Sequence, residues 1–488
     1  MRIASNKRRN LLTVCIGLIC IALFLLIYGS IGYKSKDQML RVGVVVDAGS
    51  SGTRLIVYSY NNKTFKQLNF IQCEEWGLNK YTEQGPGLHN LKKVIKQCFK
   101  EGETALPNNK KVPIYFVATA GMRLLKLRDP TIYDQMWKII LQQIKESEFK
   151  LGKAATVSGH EEARWAWVAA NYLKGTLRSN STVGIIEVGS GSTQIAFESK
   201  IKSNISNVQS IGVNGTRKMI FTQSYLCYGA KEVERRLLAK IVKDSNYHYY
   251  IHNPCFFKGH EKMVLGRYLW QPPCSGKYAT NRLGEDITGP FDKAFLINGS
   301  GNFTKCYTLL NNMLNFKCTH RSCGLRNEFL PQVYGKFLAL GSLYYTAKTL
   351  KLKSNSTKEI YWNASKELCK HNWNERSRFA PGEKNKDVYA SCLLSVYGYY
   401  LLDTGFHFDK DVWEIDFRKR INGKDTRWAL GLLCEQKNNM YLFLNIIKRP
   451  GFIALVIAGV ICLVFSLLIC IKALRIQTEV WERDTVVV

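Results

Sequence analysis

The chain has 488 residues, 46% hydrophobic and 22% charged, ordinary globular values that exclude a fibrous or mostly unfolded protein. Its 69 Lys and Arg against 38 Asp and Glu leave a formal charge of +31, which favours anionic partners. The basic residues are scattered rather than gathered in a run, which argues against nucleic acid as the partner.

In chain order, Leu11–Tyr33 comes first, an uncharged apolar run long enough to cross a bilayer. Arg2, Lys7, Arg8 and Arg9 precede it, so residues 1–10 are expected in the cytosol and 11–33 as a transmembrane helix. The run is too long for a cleaved signal peptide, and no A-x-A site follows it. A second apolar run, Gly451–Ile471, is expected to return residues 472–488 to the cytosol.

The segment between the spans then lies outside the cytosol. N-x-[ST] sequons agree, at Asn62, Asn180, Asn204, Asn214, Asn298, Asn302, Asn355 and Asn363. So do the eleven cysteines of this segment, which an oxidising compartment would mostly pair. Eleven is odd, and no repeated C-x-x-C pair points to zinc.

Arg41–Val46 reads as a buried strand, Asp47-Ala-Gly-Ser-Ser-Gly-Thr53 as a small-residue turn and Arg54–Tyr58 as the return strand. Gly184–Ile186, Glu187-Val-Gly-Ser-Gly-Ser-Thr193 and Gln194–Phe197 repeat that pattern, and we read an internal duplication. Between the copies lie a strand over Val112–Ala118, a turn over Thr119–Arg123, a helix over Thr131–Ser147 and a helix over Ala163–Leu173. Strands alternating with helices predict an α/β fold. Residues 200–330 read as disulfide-stapled surface elaborations, and Asn422–Gly431 as a turn with a short apolar stretch.

Two Gly/Ser loops at strand tips are shapes that bind phosphate, because the backbone comes close and successive N–H groups make an anion nest. Asp47, at a strand end, suits a hydrated Mg²⁺ or Ca²⁺ bridging two phosphates. No G-x-x-x-x-G-K-[ST] or G-x-S-x-G sequence is present, so neither a P-loop nor a serine-nucleophile elbow is expected. Glu161-Glu162 at a helix mouth offers either a general base or an acidic first turn that favours the helix dipole.

Asp47–Thr53, Ala118–Leu125, Ser158–Glu162 with Trp167 and Asn171–Leu173, Ser192–Gln194 and Trp428–Gly431 resemble, in order, the five conserved regions of the apyrases. The chain is similar to the ecto-nucleoside triphosphate diphosphohydrolases over nearly its whole length. The resemblance implies an actin-like fold, two RNase H-like lobes with a nucleotide cleft between them. Lobe I would span 34–158, lobe II 159–417, and 418–448 would return to lobe I. It implies divalent-cation-dependent hydrolysis of extracellular ATP, ADP and other nucleotides, at the plasma membrane, by a homo-oligomer.

By the same resemblance Glu162 is the general base, and Ser192 and Gln194 position the attacking water. Ser50, Ser51, Gly52, Thr119, Ala120, Gly121, Gly189, Ser190 and Gly191 contact phosphate. Tyr344 or Tyr345 stacks on the base, and Asp47 and Glu187 hold Ca²⁺ or Mg²⁺ through water. The family pattern pairs Cys73–Cys98, Cys227–Cys274, Cys255–Cys306, Cys318–Cys323 and Cys369–Cys392, leaving Cys434 as a thiol. Glu187 and Ser190 depart from the family's Asp and Gly, and His160 and Ala163 from its Gln and Gly. The alternative these departures raise is a catalytically impaired nucleotide-binding or adhesion protein on the same fold.

Overall fold

Val44 and Val46 pack into one core and Val45 into another, which is why strand β1 (Arg41–Gly49) reads as an unbroken apolar run. The structure, a computed structural model, describes residues 41–61, 64–75, 77–82, 87–106, 111–201, 207–213, 216–276, 288–314, 322–354, 356–375 and 388–447, with scattered helical positions over 460–471. Leu40–Glu435 forms one compact unit and holds every site residue.

β1 pairs antiparallel with β2 (Gly52–Tyr60), and β2 with β3 (Phe65–Glu74). β4 (Pro113–Ala118) runs parallel to β1, and β5 (Lys150–Thr156) parallel to β4. The order is β3-β2-β1-β4-β5. Helices α1 (Gly87–Thr104), α2 (Ala120–Arg128) and α3 (Pro130–Glu146) follow from this half of the chain, and α1 and α3 bury Leu91, Ile95, Met136 and Ile140 against one face.

After helix α4 (Gly159–Lys174) the pattern recurs with β6 (Gly184–Val188), β7 (Ser192–Glu198), β8 (Val208–Val213) and β9 (Thr216–Leu226). A three-stranded sheet of β10 (Tyr250–Asn253), β11 (Glu261–Leu265) and β12 (Ala294–Gly299) is interposed. β13 (Phe337–Gly341) and β14 (Ile415–Phe417) then complete a sheet of order β14-β13-β6-β7-β9-β8. β7 is antiparallel to β6 and β9, while β13 is parallel to β6 and β14. This repeats the direction pattern of the first sheet, with β8 added at the edge.

α4 is buried along most of its length and lies in a core that also takes Val45 and Ile56 of the first sheet and Ile185 and Ala196 of the second. Helix α7 (Trp428–Ile447, numbered after α5, Ala230–Asp244, and α6, Ser342–Thr349) brings Trp428–Cys434 into the same core. A Cβ at Gly431 would lie 1.8 Å from the Trp165 carbonyl oxygen, so the backbones of α4 and α7 meet where only glycine fits.

Three expectations change. Thr119–Arg123 is not a turn: Ala120 begins α2, whose Met-Arg-Leu-Leu-Lys-Leu are good helix formers with basic residues in the last turn. Residues 216–244 are not surface elaboration, because β9 lies inside the second sheet and α5 buries Val233, Leu237 and Leu238. The apolar stretch after Asn422 is the start of a 20-residue helix.

The disulfides Cys73–Cys98, Cys227–Cys274, Cys255–Cys306 and Cys369–Cys392 are present. Cys323 is disulfide-bonded, and its expected partner Cys318 lies outside the described residues. Cys434 is a buried thiol. Sequon residues Asn180, Asn302 and Asn363 are exposed and Asn298 half-buried, while Asn62, Asn204, Asn214 and Asn355 lie outside the described residues. So do residues 11–33 and most of 451–471; among the described residues no helix is long and apolar enough to cross a membrane.

Candidate active site

The two hairpins set the site. In each, an acidic residue near the end of the first strand faces a polar residue on the second: Asp47 opposite Arg54, Glu187 opposite Gln194. The separation is the same in both, so Gln194 occupies in the second hairpin the place of Arg54 in the first. The tips meet a third loop. A Cβ at Gly191 would lie 3.1 Å from Ala120 Cβ and 3.5 Å from Ser50 Oγ, and one at Gly121 would lie 3.0 Å from Ser50 Cα. Ser50, Ala120, Gly121 and Gly191, from the three loops expected to contact phosphate, therefore lie together.

Glu161 and Glu162 part company in the structure. Ser158 caps α4 by accepting from the Glu161 N–H at 3.2 Å, while the Glu161 carboxylate accepts from the Ser158 N–H at 3.0 Å, a capping box. Lys153 Nζ adds an ion pair to Glu161 at 3.2 Å. Glu162, one position on, turns inward and is buried. Arg123 of α2 donates to its Oε2 at 2.9 Å and to Ser192 Oγ at 3.1 Å. Gln194 Nε2 donates to Ser192 Oγ at 2.5 Å and reaches Glu162 Oε2 at 3.4 Å and Ser224 Oγ at 3.3 Å.

Glu162, Ser192 and Gln194, the expected catalytic group, are thus one hydrogen-bonded cluster. Arg123 and Ser224 belong to it too, and neither was expected there from the sequence. Arg123 lay within a motif taken for its backbone; its reach to Glu162 depends on α2 being helical. The Gln194 Oε1 atom is buried and without a protein partner, an acceptor open to an O–H donor. Burial raises Glu162 above the ordinary carboxylate range; the Arg123 charge opposes this and the Asp47 charge adds to it.

Beside this cluster a cleft of about 250 Å³ is lined by Asp47, Ser51, Glu187, Gly189, Ser190, Tyr344 and Tyr345 among others. The two tyrosines meet edge to face at 5.2 Å on α6, and Lys419 Nζ lies 5.4 Å from the Tyr345 ring centroid. Arg54, Arg418, Lys419 and Arg427 also line the cleft and were not anticipated. Arg54 lies 3.9 Å from Asp47, and Arg427 pairs with Asp425 at 3.2 Å.

The acids around the cleft crowd one another. Glu187 is pushed up to about 8, first by burial and then by the charges of Glu162, Asp47 and Asp425. Asp47 is also raised, chiefly by burial, with Arg54 and Arg427 opposing. Carboxylates whose charged forms are disfavoured in this way are suited to a nearby divalent cation. Among the described residues no three acidic, His or Cys side chains gather closely enough to ligate a metal directly. Asp47 and Glu187, on one cleft wall, are oxygen donors of the kind a divalent cation takes.

A profile of the GDA1/CD39 (nucleoside phosphatase) family matches residues 33–449. Ectonucleoside triphosphate diphosphohydrolase 3 of Homo sapiens is 26% identical over 464 residues, covering 88% of this chain and 86% of its own. Ectonucleoside triphosphate diphosphohydrolase 2 of Gallus gallus is 29% identical over 461 residues, covering 89% and 90%. Among solved structures, the nucleoside triphosphate hydrolases from Neospora caninum share the fold at a TM-score of 0.61 and 16% identity, over 85% of this chain and 95% of that one. The profile match takes in both hairpins, α4 and the cleft-lining residues, and the chain belongs to the GDA1/CD39 (nucleoside phosphatase) family.

Proposed function

We propose that this chain removes the terminal phosphate from nucleoside triphosphates and diphosphates, ATP and ADP among them, leaving the monophosphate. The observation that carries the reading is the Glu162 cluster: a buried carboxylate tied to Ser192 and Gln194 beside three converging loop tips. The names of the relatives support it.

In this reading the nucleotide base stacks on Tyr344 or Tyr345 and the phosphates lie on the loops Gly49–Gly52, Thr119–Gly121 and Gly189–Gly191. Ser192 and Gln194 hold a water, with Gln194 Oε1 accepting one of its hydrogens. The water oxygen attacks the terminal phosphorus in line as Glu162 takes its proton. The bond to the bridging oxygen breaks, and the shorter nucleotide leaves with that oxygen. Loop N–H groups stabilise the charge on the transferred phosphoryl oxygens. Ca²⁺ or Mg²⁺, held through water by Asp47 and Glu187, would supply neutralisation of the phosphate oxygens. Glu187 reaches one methylene further than the family's Asp.

We further propose that residues 11–33 and 451–471 anchor the chain in the plasma membrane, both termini cytosolic, with the catalytic unit outside and the chain in a homo-oligomer. The test is phosphate release from ATP, ADP and AMP by intact cells expressing the chain, with and without EDTA. Release from ATP and ADP but not AMP, abolished by EDTA, is expected. No release from chain displayed on the surface would overturn the reading.

A further inference from the structure

We propose that a second cavity, beside the cleft, binds a second nucleoside polyphosphate; this rests on the nucleotide reading above. The cavity has a volume of about 520 Å³, within the range of small-molecule sites. It lies between β3 and the hairpin of β15 (Arg420–Ile421) and β16 (Lys424–Asp425). Its lining carries five cations, Lys66, Lys419, Arg420, Lys424 and Arg427, against one carboxylate, Asp425. Asp425 is already engaged by Arg427 at 3.2 Å, so four cations are left without a carboxylate in the wall.

Charge alone would fit any anion, and the aromatic part of the wall narrows the class. Phe70 is 39% exposed, a large ring left open to the cavity, with the Arg427 guanidinium 4.9 Å from its centroid. Cations beside a partly exposed aromatic ring match phosphates joined to a flat heterocycle. The site is also coupled to the first. Lys419, Asp425 and Arg427 line both the cavity and the nucleotide cleft. A ligand in the cavity engages Lys419 and Arg427 and takes their charge from the cleft. Turnover therefore declines at high nucleotide concentration.

The experiment uses the full chain in detergent. The stoichiometry of the non-hydrolysable analogue AMP-PNP is measured at equilibrium, and the rate is followed against ATP concentration. The comparison is Lys66→Glu with Lys424→Glu, two exposed residues outside the cleft lining; Arg420→Glu serves if the pair does not fold. Two moles bound per chain are expected. The weaker site should lose affinity at least tenfold in the variant while the tighter site is kept, and the decline at high ATP should vanish. One mole per chain, or a second mole unaffected by the charge reversals, would overturn the proposal and leave the first site standing. No binding at all would overturn both.

Discussion

Arg123 and Glu162, 39 residues apart, form a 2.9 Å ion pair that joins the start of α2 to the start of α4. The same guanidinium accounts for one of the hydrogen bonds to Ser192. Arg123 therefore holds the Glu162 carboxylate and the Ser192 hydroxyl together.

The pair has a pH consequence. Burial holds the Glu162 carboxyl above its ordinary value, and Arg123 pulls it back down. A general base works deprotonated, so the rate rises as pH climbs through its pKa. Arg123→Met removes the opposing charge and should move the acidic limb of the kcat profile to higher pH. At a pH on that limb kcat should fall by roughly tenfold or more. Arg123→Lys keeps the charge and should restore the limb. An unmoved limb in Arg123→Met would show that the arginine serves structure alone.

Glu187 stands on the cleft wall with Asp47, whose charge raises its cost of ionising. Glu187→Gln should raise the half-saturating concentration of Mg²⁺ or Ca²⁺ by about 10- to 100-fold, the usual effect of losing a group that orients metal-bound ligands. Titrating phosphate release with each ion reads this directly. An unchanged ion requirement would remove Glu187 from the cation site.

Gly431→Ala tests the packing that holds α4. The added Cβ would sit 1.8 Å from the Trp165 carbonyl, too close for any relaxation short of moving a helix. A loss of about 1–3 kcal/mol in denaturant unfolding is expected, with lower kcat because α4 carries Glu162. Wild-type stability would mean that the two helices are not held at this spacing.

The hairpins were legible because an unbroken β-branched run around Asp47 or Glu187 ends in a Gly/Ser tip, a purely local pattern. The duplication was legible for the same reason, and the repeated strand directions match it. Arg123 and Ser224 were not legible, because their roles depend on contacts across 39 and 30 residues that no spacing records. Ser224 was further hidden by the cysteine-rich stretch around it, which masks β9 as an inner strand. Glu161 and Glu162 are adjacent and chemically alike. Only the helix start decides that one caps and the other faces the site. The cations Arg418, Lys419 and Arg427 come from a segment far from the tips, brought to the cleft by the β14–α7 connection.

In the proposed mechanism Glu162 takes the proton from the attacking water. Glu162→Gln keeps the shape of the side chain and removes the base. The direct measurement is kcat for ATP in this variant beside wild type, with AMP-PNP affinity determined in parallel. A fall in kcat of roughly 10²- to 10⁴-fold with affinity retained is predicted. A kcat within a fewfold of wild type in a chain that still binds the analogue would contradict the account.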